Sequence, residues 1–106
     1  MFDFLKNMFS GADQSEIKNA INEGAFLVDV RNRDEFVSGH AKNTVNIPLG
    51  EIQKKLDEFK NKKLIVVFCR SGNRSAQAKS ILEQNGIKNV LNGGTWNAIK
   101  SLQDEA

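Results

Sequence analysis

Cys69 and the two arginines that follow it are the residues most suited to chemistry. The segment Phe68-Cys69-Arg70-Ser71-Gly72-Asn73-Arg74-Ser75 joins the longest apolar run, Leu64-Ile65-Val66-Val67-Phe68, to a stretch with helical patterning. A cysteine at the carboxyl end of a buried strand sits where open α/β sheets gather their ligands. Small polar residues and a glycine let the loop turn several backbone N–H groups inward as an anion nest. The helix that follows adds free N–H groups and the positive end of its dipole. Arg70 and Arg74 add charge if they point inward. Each contribution favours a thiolate at Cys69, and the thiolate is the nucleophile. Gly72 suits a place where backbone must curl or approach a ligand closely. The plainer alternative is a buried, inert cysteine closing a strand, but such a residue needs no flanking cationic loop.

Loop length separates two chemistries. Four residues, Arg70 to Asn73, lie between Cys69 and Arg74. Cysteine-type protein phosphatases have one residue more, which makes room for a phosphoryl group. The shorter cradle suits a sulfur atom carried on Cys69, because catalytic donors must be placed to within about half an ångström.

The residue counts narrow the field further. The chain has 106 residues, with one Cys and one His. One cysteine excludes an internal disulfide. One Cys and one His cannot complete a four-ligand zinc site without other donors, so neither a metal nor a cofactor is expected. His40, the sole histidine, invites a pairing with Cys69, yet sulfur transfer from a thiolate demands no base. Apolar residues at 40% and charged residues at 26% are ordinary for a folded domain and argue against a disordered or fibrous chain. A net charge of +2 is too balanced to indicate nucleic acid. The run Leu64 to Phe68 is too short to span a bilayer, so no transmembrane segment is expected. The N-terminus lacks a basic leader, which makes a reducing cytoplasm the expected compartment.

Alternating strand and helix signals must position the loop. Residues 1–11 carry Phe2, Leu5 and Phe9 at helical spacing and form an aromatic segment, packed on the domain or docking on a partner. Residues 12–106 form the domain. Asp13 and Glu16 resemble a capping box ahead of a first helix, with Gly24 at its end. Strands are expected at 25–30, 45–47, 64–68 and 89–91, the last closed by Gly93-Gly94. Helices are expected at 34–38 and 51–59, after the Cys69 loop around Ala78, Ile81 and Leu82, and at the C-terminus with Trp96, Ile99 and Leu102. This order implies a small, open, mostly parallel α/β sheet with helices on both faces.

At this point the sequence resembles the single-domain rhodanese (thiosulfate sulfurtransferase) family. The loop Cys69 to Ser75 looks like that family's active loop and helix start. Leu27-Val28-Asp29-Val30-Arg31, Glu35-Phe36, Gly39-His40 and Asn46-Ile47-Pro48-Leu49 resemble its first signature, and Asn92-Gly93-Gly94 with Trp96 its last. Lys42-Asn43 stands where the family often has Pro-Gly, and Trp96 falls a few residues early. The resemblance implies a rhodanese-like fold and a ping-pong reaction. Cys69 takes a sulfane sulfur from thiosulfate, a persulfide or a polysulfide, becomes a persulfide, and passes the sulfur to a thiol or cyanide. It implies substrate binding by Arg70, Ser71, Gly72, Asn73, Arg74 and Ser75, and structural support of the site by Asp29, Arg31 and His40. Two other readings stand beside it. One is a sulfur-relay or binding module serving a protein partner. The other is phosphatase or arsenate-reductase chemistry, which the loop length opposes. With no second cysteine, a persulfide on Cys69 has no internal thiol to resolve it, so the sulfur must leave to an outside acceptor.

Overall fold

The computed structural model describes residues 12–105; the aromatic segment expected at the N-terminus lies outside them. Helix α1 (Gln14–Asn22) starts at Asp13, whose carboxylate accepts the Glu16 N–H at 3.0 Å. It buries Ile17 and Ala20 and ends at Glu23, with Gly24 beyond it at φ 83°. Strand β1 (Phe26–Asp29), helix α2 (Arg33–Ser38), strand β2 (Thr44–Asn46), a 3₁₀ segment (Leu49–Phe59), strand β3 (Ile65–Cys69), helix α3 (Asn73–Gln84), strand β4 (Val90–Thr95) and helix α4 (Trp96–Asp104) follow.

The four strands pair in parallel in the order β2-β1-β3-β4. Parallel strands have both faces covered, which is why β3 is buried at all five positions and reads as an unbroken apolar run. Alternate residues feed two cores. Val28, Ile65 and Val67 pack with Ile52 and Phe59 of the 3₁₀ segment and Ala78 and Leu82 of α3. Leu27, Val66 and Phe68 pack on the other face with Ile17 and Ala20 of α1 and Ile99 and Leu102 of α4. The period of two along each strand thus places helices on both faces.

Two elements differ from the sequence reading. The expected α-helix at 51–59 is 3₁₀, with a kink at Lys55 (φ −122°, ψ 29°). A 3₁₀ turn repeats every three residues. Leu49 and Ile52 share one face, Leu56 and Phe59 share another, and the kink between them brings both pairs onto the sheet. Strand β4 runs past the expected stop at Leu91, through both glycines to Thr95. Val67 pairs with Asn92 but Phe68 with Gly94, so Gly93 is the extra residue of a bulge. Only glycine fits there: a Cβ would lie 2.8 Å from Val66 Cγ1 and 2.9 Å from Ile99 Cδ1. The bulge carries β4 onward beside Cys69, which pairs with Thr95.

Candidate active site

Cys69 ends β3 at the carboxyl edge of the sheet and is fully buried. The chain then reverses through Arg70 and Ser71 to Gly72, whose φ of 96° is left-handed and favours glycine. That turn aims the Gly72 N–H at Cys69 Sγ, 3.0 Å away. The backbone N–H groups of Ser71 and Ser75 and the Ser75 hydroxyl also face the sulfur. Burial pushes the Cys69 thiol pKa up, but these hydrogen bonds outweigh it and hold the pKa below its ordinary value.

The loop is tied down at its far end by buried polar groups. Ser75 and Asn92 are both buried, and the Ser75 hydroxyl lies 2.7 Å from Asn92 Oδ1 and 3.0 Å from the Gly72 carbonyl. Asn92 Nδ2 donates to the same carbonyl at 3.2 Å. The bulge in β4 is what presents Asn92 to the loop.

The arginines have separate fates. Arg74 donates from Nη1 and Nη2 to the two oxygens of Glu35, at 2.7 and 3.0 Å, in a two-pronged pair between α3 and α2. Its charge is therefore shared with a carboxylate rather than given wholly to the loop. Arg31 is buried, with Nε and Nη2 on the Asp29 carboxylate at 2.9 and 2.7 Å. Its Nη2 also donates to the Gly39 carbonyl at 2.7 Å, and its guanidinium lies 4.5 Å from the centre of the Trp96 ring. Arg70 is exposed and is the loop cation without a carboxylate partner among the described residues. Ser71 and Asn73 are exposed at the loop's outer lip.

Glu35 gives the Arg74 pair a pH signature. The Arg74 hydrogen bonds hold the Glu35 carboxyl down to about 2, from an ordinary 4.5. A depressed carboxyl stabilises the fold fully above 4.5, and that contribution is lost as pH falls through about 2. Glu35→Gln is therefore expected to lower the melting temperature at neutral pH. The gap to wild type should close between pH 4.5 and 2 in an acid series followed by circular dichroism. A gap constant across that window would show that the pair does not stabilise the fold.

His40 is exposed; its Nδ1 lies 2.8 Å from the Phe36 carbonyl, and its ring stacks on Phe36 at 4.0 Å. Its contacts thus brace the end of α2, and none reaches Cys69. Beside the loop, Arg31, Glu35, Gly39, Arg70, Trp96 and Asn97 line an open groove of about 410 Å³. Among the described residues no group of three or more His, Cys, Asp or Glu side chains could hold a metal ion. No described helix is long and apolar enough to cross a membrane.

Sequence reasoning missed two partners, Glu35 and Asn92. Both stand in the motif segments, but their link to the loop crosses 39 and 17 residues. Side-chain pairing at such separation leaves no mark in the local pattern.

A parallel α/β domain with a cysteine at the base of a backbone N–H nest is the class that this fold and site define. The chain belongs to the rhodanese-like domain family, whose pattern matches residues 13–101. Among its relatives, the rhodanese domain-containing protein CG4456 of Drosophila melanogaster is 34% identical, over 81% of this chain and 92% of that one. A sulfurtransferase of Allochromatium vinosum is 36% identical, over 69% and 68%. Three further relatives are longer: the chain spans 38%, 63% and 54% of them. Among solved structures, the human single-domain sulfurtransferase TSTD1 matches with a TM-score of 0.71 at 26% identity, covering 92% of this chain and 98% of that one. A rhodanese-related protein of Thermoplasma volcanium matches with a TM-score of 0.67 at 32% identity, covering 92% and 94%.

Proposed function

We propose that the protein moves a sulfane sulfur from an anionic donor, such as thiosulfate, a persulfide or a polysulfide, to a thiol or cyanide through a persulfide on Cys69. The observation that carries this reading is the buried Sγ facing inward N–H groups, with that of Gly72 at 3.0 Å. The Cys69 thiolate attacks the outer sulfur of thiosulfate. A new S–S bond forms, the old one breaks, and its electron pair leaves with sulfite. The acceptor's lone pair then attacks the outer sulfur of the persulfide and releases the Cys69 thiolate, giving thiocyanate or a new persulfide. No proton is abstracted in either step, so the exposed His40 needs no catalytic part.

The N–H groups of Ser71, Gly72 and Ser75 stabilise the negative sulfur in both the thiolate and the persulfide. Arg70, at the rim, draws in the anionic donor. Asn73 opens α3, with its N–H toward Ser71 Oγ at 3.5 Å, and Arg74 bound to Glu35 fixes the loop's far end. Asp29 and Arg31 support the floor beneath Trp96. The open groove between Arg70 and Trp96 lies beside the loop, and a relay to a thiol-bearing protein partner would use the same persulfide chemistry.

Intact mass spectrometry after exposure to thiosulfate or polysulfide tests the reading. Wild type should gain one sulfur atom, lose it on adding cyanide, and release thiocyanate. A Cys69→Ser protein that still gains that sulfur would refute the proposal. Cys69-dependent hydrolysis of an aryl phosphate would favour phosphatase chemistry instead.

A further inference from the structure

The polar cluster behind Cys69 holds more acceptors than protons. Ser75 Oγ lies 2.7 Å from Asn92 Oδ1, 3.0 Å from the Gly72 carbonyl and 3.5 Å from Cys69 Sγ, and its hydroxyl carries one hydrogen. The Asn92 amide has one consistent orientation. The Gly94 N–H donates to its Oδ1 at 3.0 Å, while its Nδ2 donates to the Gly72 carbonyl at 3.2 Å. A flipped amide would set NH₂ against the Gly94 N–H and oxygen against the carbonyl. Asn92 therefore offers Ser75 an acceptor only, at the shortest of the three distances.

We infer that Asn92 is a positioning residue that governs the acidity of Cys69 by competing with the sulfur for the single hydroxyl proton of Ser75. With Cys69 as a thiol, Ser75 donates to Asn92 and accepts the S–H. On ionisation that proton leaves to solvent. The Ser75 hydroxyl turns to the thiolate, and Asn92 Oδ1 keeps only the Gly94 N–H. Ionisation thus gives up the S–H bond to Ser75 and the Ser75 bond to Asn92 for a single bond to the thiolate, and Asn92 holds the donor in reserve until the sulfur is negative. Both ends of the exchange are buried, where an unmade hydrogen bond is costly.

Beyond the backbone N–H groups of the loop, few charged groups lie near the sulfur. From α3 it faces Arg74, which is bound to Glu35 of α2. The Asp29–Arg31 pair closes the neighbouring strand β1. Strand β4 has no titratable side chain, and the residues that the 3₁₀ segment buries are Ile52 and Phe59.

The inference deepens the persulfide reading and rests on Cys69 being its working thiol. Its test uses no sulfur donor, so either can fail without the other. Cys69 is the only cysteine, so the ultraviolet thiolate absorbance of the full chain titrates that residue alone. Asn92→Ala should lower the Cys69 pKa by about half a unit or more, the size of one net hydrogen bond. Ser75→Ala should raise it. Adding Asn92→Ala to Ser75→Ala should change nothing further, since Asn92 acts through Ser75. An unchanged or raised pKa in Asn92→Ala overturns the inference, as does an equal drop in both backgrounds. Should the variants not fold, the infrared S–H stretch of wild type decides. A band displaced to lower frequency shows the thiol donating to Ser75, whereas a band at the position of a free thiol overturns the inference.

Discussion

Cys69→Ser is expected to lower sulfur transfer from thiosulfate to cyanide by roughly 10⁴-fold or more, the scale on which removal of a covalent nucleophile acts. That loss corresponds to about 5 kcal/mol of transition-state stabilisation. The hydroxyl fits the space left by the sulfur, and the Gly72 N–H that faces Sγ at 3.0 Å can still donate to an oxygen there. The fold should therefore melt close to wild type. What disappears is the chemistry. The nest lowers the pKa of a thiol, whereas an alcohol holds its proton too tightly for the same N–H groups to release it. Nor can an oxygen form the S–S bond that carries the transferred atom. Initial rates of thiocyanate formation, with thermal melts on the same samples, check both halves. Retention of more than about a tenth of the wild-type rate would mean that the sulfur does not travel through Cys69.

This result depends on features that were legible in the sequence. The unbroken, β-rich run Leu64 to Phe68 reads as a strand suited to the centre of a parallel sheet, with the cysteine at its carboxyl end. Gly72 was readable as the backbone reversal, and it is the residue in the left-handed region. The direction of Arg74 was not readable. Charge beside a nest suggests a cation for the nest, but a guanidinium goes to the carboxylate that matches its fork, and Glu35 reaches it from another helix. Paired glycines ordinarily weaken strands, so the sequence predicts that β4 stops before Gly93. Here close packing of Gly93 against Val66 and Ile99 calls for the missing side chain. The 3₁₀ segment hid for a related reason. Its apolar spacing of four then three fits an α-helix equally well, and the kink at Lys55 leaves no mark in that spacing.

Asp29→Ala is expected to cost about 3–5 kcal/mol of folding stability, the penalty for removing one partner of a buried ion pair. Asp29 is 0% and Arg31 3% exposed, so the guanidinium left behind cannot turn to water without moving its neighbours. Arg31 would keep the Gly39 carbonyl at 2.7 Å and the Trp96 ring at 4.5 Å. Neither supplies a countercharge. The Asp29 carboxylate also accepts the Arg31 backbone N–H at 3.0 Å, so its loss frees the turn that leads to α2. Against a typical stability of about 5–15 kcal/mol, such a loss takes a small domain close to unfolding at room temperature. Urea titration followed by tryptophan fluorescence is well placed to measure it, because Trp96 lies on the Arg31 guanidinium. Replacing both members, as in Asp29→Leu with Arg31→Met, removes the stranded charge. It should recover a large part of the stability, since buried pairs exchanged for apolar residues of similar size are often neutral. Recovery in the double variant would identify charge burial as the cause. Equal instability in both would instead place the effect in the turn and in the packing of Trp96. Either way, sulfur loading of the folded fraction should persist, because this pair supports the floor of the site and does not hold the sulfur.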